Sequence, residues 1–307
     1  MRPDVQELVR YMGRSKCVNI IGMEGKVHIF CINLRHRKDR WKRFSEQAEI
    51  ETLKGSYELE RFEGVNGSAL NIQKDERISL RTKRNIKEHI RRDHEELDSA
   101  GGVGCYLSHT NVWKKFLESS DEYAIVLEDD AVIDPGFTAQ LQRAMMDTTL
   151  LPSIPDIWFL SSSTEHEWYY TYKGLPQPTD VKEYNLGPWT MKVCAFFTGY
   201  IISRRGAERL LENAFPIDMH VDMYTCLNGE LGRILTVSHK NINLKQYAFE
   251  QVDSDIRAES IGNTNCSICD VPTYYKQKGI VILNVPILVV SLITLAGLWY
   301  VTSKRRR

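Results

Sequence analysis

The sequence predicts an α/β fold with a mainly parallel sheet flanked by helices. Short apolar runs typical of buried strands recur along the chain, segments with helical periodicity lie between them, and charged residues directly follow two of the runs. The 307 residues are 42% hydrophobic, which is enough for a substantial core. Lys+Arg and Asp+Glu both number 40, so the chain has no net positive charge to attract nucleic acid.

The first predicted unit is a strand, a basic loop and a helix. Residues 1–25 form a short lead, and residues 27–34, VHIFCINL, have the composition of a strand. The strand runs into a basic segment at 35–40, and apolar side chains then recur at helical spacing. Residues 57–65 predict a second short strand.

Residues 73–97 carry many charges of both signs and few large apolar side chains. Such a run predicts a solvated helix or a mobile loop, and the alternative is a lid over an anionic ligand. The glycines at 101–104 precede a predicted helix at 105–118, a position where a backbone can approach phosphate.

The segment 123–135, YAIVLEDDAVIDP, is the strongest candidate for a functional site. Its apolar run predicts a buried strand, and three consecutive acids follow at Glu128, Asp129 and Asp130. Three carboxylates at the end of a buried strand are costly to ionise without a cation, and Mg²⁺ or Mn²⁺ takes oxygen ligands. We therefore expect a divalent metal here; the alternative is an acidic turn without a ligand.

The second half continues the alternation of helices and strands. A helix at 137–146 and a strand at 156–160 are followed by an aromatic, Pro- and Gly-rich stretch at 161–190 that predicts a loop. A strand at 194–202 and a helix at 205–214 come next. In such folds ligands lie at the carboxyl ends of the strands.

The C-terminal region predicts one transmembrane helix. Residues 253–278 are polar and irregular, as in a linker, and residues 279–301 are 23 uncharged, mostly aliphatic residues. At about 1.5 Å per residue this segment spans roughly 34 Å, which suffices for a bilayer core of about 30 Å. A buried core helix is the alternative, but it would have no polar face. The basic tail at 302–307 fits a membrane flank.

Two features disagree about the orientation of this single-pass anchor. The basic tail favours a cytosolic C-terminus, with the large domain on the other side of the membrane. The N-terminus, MRPDVQELVR, is charged and lacks the apolar core of a signal peptide, which favours a cytosolic domain. On the sequence alone we lean slightly towards the cytosolic orientation.

Six separated motifs resemble glycosyltransferase family 25, which includes lipopolysaccharide and procollagen galactosyltransferases, and they occur in the family's order. They are INLRHRKDRW at 32–41, RFEGVNG at 61–67, GGVGCYLSHTNVWKKF at 101–116, YAIVLEDDAVIDPGF at 123–137, FFTGYIISRRGAERLL at 196–211 and FPIDMHVDMY at 215–224.

This resemblance implies a GT-A-like, Rossmann-type catalytic domain at 26–252, a UDP-sugar donor and a divalent cation. Carried over to this chain, the EDD motif assigns Asp130 as the direct metal ligand and Glu128 as a contact to the metal or the donor. The role of Asp129, in the metal or the donor site, stays open. A cation bridging carboxylates and a diphosphate would meet the charge of the leaving group.

Further donor contacts follow from the same resemblance. Asn33, Leu34, Arg37 and Arg40 match the motif after the first strand, where an arginine fork suits phosphate. The alternative for each arginine is a basic surface turn.

Three later positions also match the family. Ser108 and His109 match a Ser-His pair, and Gln251 matches a late glutamine near the donor. For His109, packing within the helix is an equal alternative. The resemblance leads us to expect His-Pro just before that glutamine, whereas this chain has Tyr247-Ala248-Phe249, which departs from a late histidine ligand.

The resemblance implies inversion at the anomeric centre, so one carboxylate is expected to deprotonate the acceptor hydroxyl. Asp222 is our first candidate for this general base and Asp218 the second. In the alternative interpretation both residues cap the following helix.

The leading hypothesis is a membrane-anchored, metal-dependent enzyme that moves a hexose, galactose or glucose, from a UDP-sugar to a glycan, glycolipid or protein. The alternative is a catalytically inactive, membrane-anchored structural or interaction protein that keeps the transferase fold. The lone CxxC pair at Cys266 and Cys269 suggests a zinc or redox site only weakly.

Overall fold

An eight-stranded mixed sheet lies at the centre of the computed structural model, which describes residues 27–89, 96–161, 185–191, 196–242 and 244–246. Its strands lie in the order β2-β1-β3-β8-β5-β9-β7-β6, and a separate two-stranded sheet pairs β4 with β10. The strands are β1 His28–Asn33, β2 Glu58–Glu63, β3 Tyr123–Glu128, β4 Ala131–Val132, β5 Ile157–Phe159, β6 Asn185–Leu186, β7 Trp189–Met191, β8 Gly199–Ser203, β9 Thr236–His239 and β10 Lys245–Gln246.

The direction of the strands confirms the α/β prediction and corrects one detail of it. β2, β1 and β3 are parallel neighbours, as are β5 and β9. β8 runs antiparallel to both β3 and β5, between which it lies. The sheet is therefore mostly parallel but mixed. The stretch predicted as a loop also contributes β6 and β7, whose hairpin continues the sheet beyond β9.

Helices cover both faces of the sheet, as predicted. The helices are α1 Lys38–Ser45, α2 Glu49–Ser56, α3 Leu80–Glu88, α4 Ala100–Glu118, α5 Phe137–Met146, α6 Arg204–Glu212 and α7 Val221–Glu230. One hydrophobic core packs α4, α6 and α7 on one face, and a second core packs α1, α2 and α5 on the other. Alternating side chains of β3 enter the two cores, since successive strand residues face opposite sides.

The charged segment predicted to be solvated is a packed helix where the structure describes it. Thr82 and Asn85 of α3 are buried, although Leu80 is exposed. An isolated parallel bridge pairs Ile78 with Ile217 just before α7. The segment therefore contacts the region that carries Asp218 and Asp222.

The glycines that open α4 serve close packing in this structure. A Cβ on Gly104 would lie 2.5 Å from the carbonyl oxygen of Val65, and one on Gly67 would lie 1.8 Å from that of Ala100. The first turn of α4 therefore packs directly against the loop after β2.

The predicted transmembrane helix at 279–301, the linker and Gln251 lie outside the described residues. Within the part of the chain that the structure describes, none of the helices is both long and apolar enough to cross a membrane.

Candidate active site

Some of the predicted site residues, among them Asn33, Glu128 and His109, meet at the carboxyl ends of β1 and β3. Asn33 is the last residue of β1 and Glu128 the last of β3, and the two strands are parallel neighbours. The start of β8 lies beside them, with the amide of Glu128 donating to the carbonyl of Thr198 at 3.0 Å. His109 reaches this edge from α4. This is the place where ligands bind in open α/β sheets.

Asp129 and Asp130 occupy the two-residue connection from β3 to β4. β4 pairs with β10, with Ala131 opposite Gln246. This small ribbon fixes the acids against the main sheet.

Asp129 is held by donors from the first strand and the basic loop. Its carboxylate accepts from Asn33 Nδ2 at 2.5 Å and from Arg40 Nη1 at 3.1 Å. Asn33 Oδ1 in turn accepts from Arg61 Nε at 2.9 Å. Burial raises the pKa of Asp129 overall, although Arg40 and Asn33 act in the opposite direction. Asp129 is thus a paired carboxylate, and its position is set by Arg40 and Asn33.

Asp130 is only half satisfied among the described residues. Gln246 Nε2 donates to Oδ2 at 2.9 Å, whereas Oδ1 is buried and has no hydrogen-bond partner there. Burial and the charge of Glu128 raise the pKa of Asp130 to about 6. A buried carboxylate oxygen without a donor is suited to a cation ligand, so the residues present fit a divalent metal.

Glu128 lies between the acidic pair and α4. Its Oε1 is 3.2 Å from His109 Nε2 and 3.8 Å from the thiol sulfur of Cys105. Burial, followed by the charges of Asp129 and Asp222, raises the pKa of Glu128 to about 8. The carboxylates thus repel one another more than the described cations compensate, which again favours an added positive charge.

His109 is fully buried behind Glu128. Its Nδ1 is 2.9 Å from the hydroxyl of Tyr200, to which Trp113 Nε1 donates at 2.8 Å. Burial lowers the pKa of His109 to about 3, so the ring is neutral near pH 7. The surroundings of His109 are therefore those of a packed core residue, as the alternative interpretation stated. One of its ring nitrogens nevertheless faces Glu128.

The two candidate bases have different environments. Asp218 accepts from Ser79 Oγ at 2.7 Å and forms an ion pair with Arg81 of α3. Asp222 lies in the first turn of α7, and its Oδ1 accepts from the amide of Met223 at 2.8 Å. The charge of Asp222 acts on Glu128, so this residue is the one of the pair that faces the acids.

The basic loop is ordered by its own contacts. Arg37 donates its backbone amide to the carbonyl of Leu34 at 2.9 Å and forms an ion pair with Asp39 at 2.8 Å. Asn33 Nδ2 also donates to the carbonyl of Arg37 at 3.0 Å. These bonds order the loop from which Arg40 donates to Asp129, and both arginine side chains are largely buried.

Ser108 lies deeper than expected for a donor contact. It is buried, donates to the carbonyl of Gly104 at 2.7 Å and accepts from the amide of Val65 at 2.8 Å. In this structure its hydroxyl joins α4 to the loop after β2.

Sequence reasoning did not single out Cys105, Gln246 or Tyr200. Cys105 and Tyr200 lie inside motifs that were recognised, but nothing in their spacing indicates that their side chains reach Glu128 and His109. No sequence feature indicates a role for Gln246, because its contact with Asp130 depends on the pairing of β10 with β4.

The Rossmann-like mixed sheet, with an acidic cluster at the strands' carboxyl ends, defines an α/β protein whose candidate site lies where such sheets bind ligands. The chain belongs to glycosyltransferase family 25: the family model, described as "Glycosyltransferase family 25 (LPS biosynthesis protein)", matches residues 26–225.

Similar proteins carry the same family name or that of a galactosyltransferase. The chain is 26% identical over 233 residues to procollagen galactosyltransferase 1-B of Xenopus laevis, covering 76% of this chain and 34% of that protein. It is 27% identical over 206 residues to a glycosyltransferase 25 family member of Aedes aegypti, covering 64% and 30%. Procollagen galactosyltransferase 2 of Homo sapiens is 26% identical over 198 residues, covering 64% and 29%. The chain thus spans about a third of the length of these relatives.

Proposed function

We propose that this protein is a membrane-anchored, metal-dependent glycosyltransferase that moves a hexose from a UDP-sugar to an acceptor hydroxyl, with inversion. Membership of family 25 supports the transfer chemistry. Relatives named procollagen galactosyltransferase favour galactose over glucose as the sugar. The acceptor class is a glycan, a glycolipid or a protein.

The buried Oδ1 of Asp130, which has no hydrogen-bond partner among the residues that the structure describes, is the observation that carries the proposal. Asp130 and Glu128 would hold Mn²⁺ or Mg²⁺, with Asp129 fixed beside them by Arg40 and Asn33. When bound, the cation would neutralise the diphosphate of the UDP leaving group. Such a cation site needs acidic side chains whose negative charge is not fully balanced by neighbouring groups before the cation binds.

Further donor contacts are proposed for the loop after β1, on the family resemblance. Arg37 and Arg40 would donate to diphosphate oxygens, because a guanidinium presents two parallel N–H groups. Asn33 and the backbone at Leu34 set the loop's conformation through their bonds to Arg37. Gln251 is proposed from the family resemblance alone, and His109 acts by holding Glu128.

Asp222 is the proposed general base. It would accept the proton of the acceptor hydroxyl as the oxygen attacks the anomeric carbon from the face opposite UDP. Asp218 is the weaker candidate, since its carboxylate is committed to Arg81 and Ser79.

A hydrolysis screen with the full chain tests the proposal. Purified protein is incubated with a panel of UDP-sugars, with and without Mn²⁺, and UDP release is measured. We expect slow Mn²⁺-dependent release from UDP-galactose above the other donors. Calorimetry that finds no UDP-sugar binding in the presence of Mn²⁺ would overturn the proposal in favour of the inactive structural protein.

The apolar segment at 279–301 supports a membrane anchor in the proposed function. Cys226 of α7 is disulfide-bonded, and disulfides persist in oxidising compartments. Against the slight cytosolic lean that the N-terminus suggested, we propose that the domain lies on the non-cytosolic side, which the basic tail also favours. Protease treatment of sealed vesicles should leave the domain intact until detergent is added; digestion without detergent contradicts this orientation.

A further inference from the structure

Three different metal-ligating side chains meet behind the acidic motif. Cys105, His109 and Glu128 each offer one ligand atom, and these atoms all lie within 4.8 Å of one another. Cys105 and His109 are four residues apart on α4, so they share one face of the helix. Glu128 approaches them from the end of β3. The cluster is distinct from the unpaired oxygen of Asp130, although it shares Glu128 with the proposed donor cation.

The separations of these atoms fit a tetrahedral zinc ion. Bond lengths of about 2.3 Å to sulfur and about 2.0–2.1 Å to nitrogen or oxygen imply ligand-to-ligand distances of roughly 3.3–3.6 Å. In the structure Glu128 Oε1 is 3.2 Å from His109 Nε2 and 3.8 Å from Cys105 Sγ. These two separations are close to that range, and the third, between Cys105 Sγ and the His109 ring nitrogen, is at most 4.8 Å.

The surroundings of His109 also match those of a metal ligand. Metal-binding histidines present one ring nitrogen to the ion and donate the other N–H to a fixed acceptor. Here Nε2 faces the cluster and Nδ1 is 2.9 Å from the hydroxyl oxygen of Tyr200. Tyr200 is itself held by Trp113 Nε1 and stacks on Phe197. The orientation of the ring is thus fixed by buried groups outside the cluster.

We propose that Cys105, His109 and Glu128 form a Zn²⁺ site, with a fourth position open to water. A thiolate, an imidazole and a carboxylate favour Zn²⁺ over Mg²⁺ or Mn²⁺, which take oxygen ligands. Cys105 is a free thiol in this structure, and its proton passes to solvent when the metal binds.

Cobalt substitution tests the thiolate ligand directly. Co²⁺ is added to the full chain carrying Cys266→Ser and Cys269→Ser, since that CxxC pair is another candidate for the metal. We expect a thiolate-to-cobalt charge-transfer band in the near ultraviolet that is lost in Cys105→Ser. The matched control is Cys31→Ser, which removes another buried free thiol and should keep the band. No band in the parent, or a band that persists in Cys105→Ser, overturns the proposal.

Zn²⁺ affinity tests the histidine without removing a ligand. Tyr200→Phe deletes the hydroxyl beside Nδ1 and should weaken Zn²⁺ binding about 10- to 100-fold, measured by competition with a chromogenic chelator. Tyr106→Phe is the control, because its buried hydroxyl donates to the carbonyl of Ala214, away from the cluster. Equal affinities in the two variants would contradict His109 as a ligand. Circular dichroism and thermal unfolding establish that both are folded.

An effect of Zn²⁺ on sugar transfer rests on the proposed function. Zn²⁺ would bind Glu128, which is also a proposed ligand of the donor cation. We expect Zn²⁺ to inhibit Mn²⁺-dependent UDP release in the parent. The binding experiments need no donor, so their failure removes the zinc site alone. A lack of UDP release with every donor, in contrast, removes the proposed transfer and leaves zinc binding standing.

Discussion

Two aspartates, one before a strand and one after a strand of the sheet, have contrasting surroundings. Asp156, just before β5, is fully buried and accepts from Arg205 Nε at 2.6 Å, from Arg209 Nη1 at 3.3 Å and from the amide of Leu235 at 2.8 Å. Asp130, just after β3, has one amide donor on one oxygen and none on the other among the described residues. The first carboxylate is compensated on both oxygens; the second is not.

The difference distinguishes a carboxylate that stabilises the fold, Asp156, from one that is available to bind a ligand, Asp130. Burying a charge is costly unless partners replace the lost water, and Asp156 has those partners. Asp130 lies beside Glu128, whose pKa burial and neighbouring carboxylates raise to about 8. Uncompensated charge of this kind clusters at functional sites. Substitutions at the two aspartates should therefore have opposite consequences.

Asp130→Asn should cause the largest loss of activity. Without this carboxylate the proposed cation loses its main ligand, so UDP release should fall by at least about 100-fold. The free energy of unfolding should not decrease, since the change removes a negative charge from a repelling cluster. Urea unfolding and UDP release are measured on the same preparation. The control is Asp134→Asn, an exposed acid paired with Lys245. Full activity in Asp130→Asn would exclude the metal assignment.

Asp222→Asn should lower kcat by about 100-fold or more, the usual contribution of a general base. Asp218→Asn breaks a half-exposed ion pair with Arg81 and should lower kcat less than tenfold, with a loss of stability of about 1 kcal/mol or less. Steady-state kinetics with a saturating donor compare the two variants. The reverse order of effects would make Asp218 the base.

Asp156→Asn should leave kcat nearly unchanged but destabilise the fold by about 2 kcal/mol. The side-chain oxygen of the new asparagine can still accept from the backbone amide of Leu235. Arg205 and Arg209, in contrast, lose their negatively charged partner. Both arginines are nearly half exposed, which keeps the cost below that of a fully buried pair. Urea unfolding measures the difference. A loss of activity without a loss of stability would contradict the assignment of Asp156 to the fold.

Sequence patterns were sufficient to predict the features that depend on local order. The apolar run of β3 and the acids directly after it are adjacent in the chain, so their burial and their place at the sheet's edge followed from one segment. The family motifs then located Asn33 and Arg40 beside them.

Features that depend on distant packing could not be predicted in this way. The reversed direction of β8 leaves no local signal, because an apolar strand has the same composition in either direction. Both Asp218 and Asp222 lie near the start of α7, and what separates them is long-range: Asp218 is paired with Arg81, 137 positions earlier, whereas the charge of Asp222 acts on Glu128. The sulfur of Cys105 near Glu128 likewise depends on how α4 packs across β3.

Glu49 is a further carboxylate to compare with Asp156 and Asp130, and it is buried and satisfied by backbone amides. It accepts from the amides of Gly136 at 2.9 Å and Thr138 at 3.0 Å, and so caps α5, whose own N-cap Gly136 offers no side chain. Hydrogen bonds from Thr138 and Gly136 lower its pKa. The stabilisation is therefore complete above the unfolded value of about 4.3 and is lost as pH falls through the folded pKa.

Glu49→Gln should consequently destabilise the protein by about 1–2 kcal/mol at pH 7, and the difference from the parent should shrink below about pH 4. Urea unfolding at several pH values measures it. The control is Glu51→Gln, which alters an exposed carboxylate of α2 that is paired with Lys54 three residues further on; it should change stability by less than about 0.5 kcal/mol. A difference for Glu49→Gln that stays constant down to acid pH would mean that the charge is not what caps α5, and that the geometry of the acceptor alone suffices.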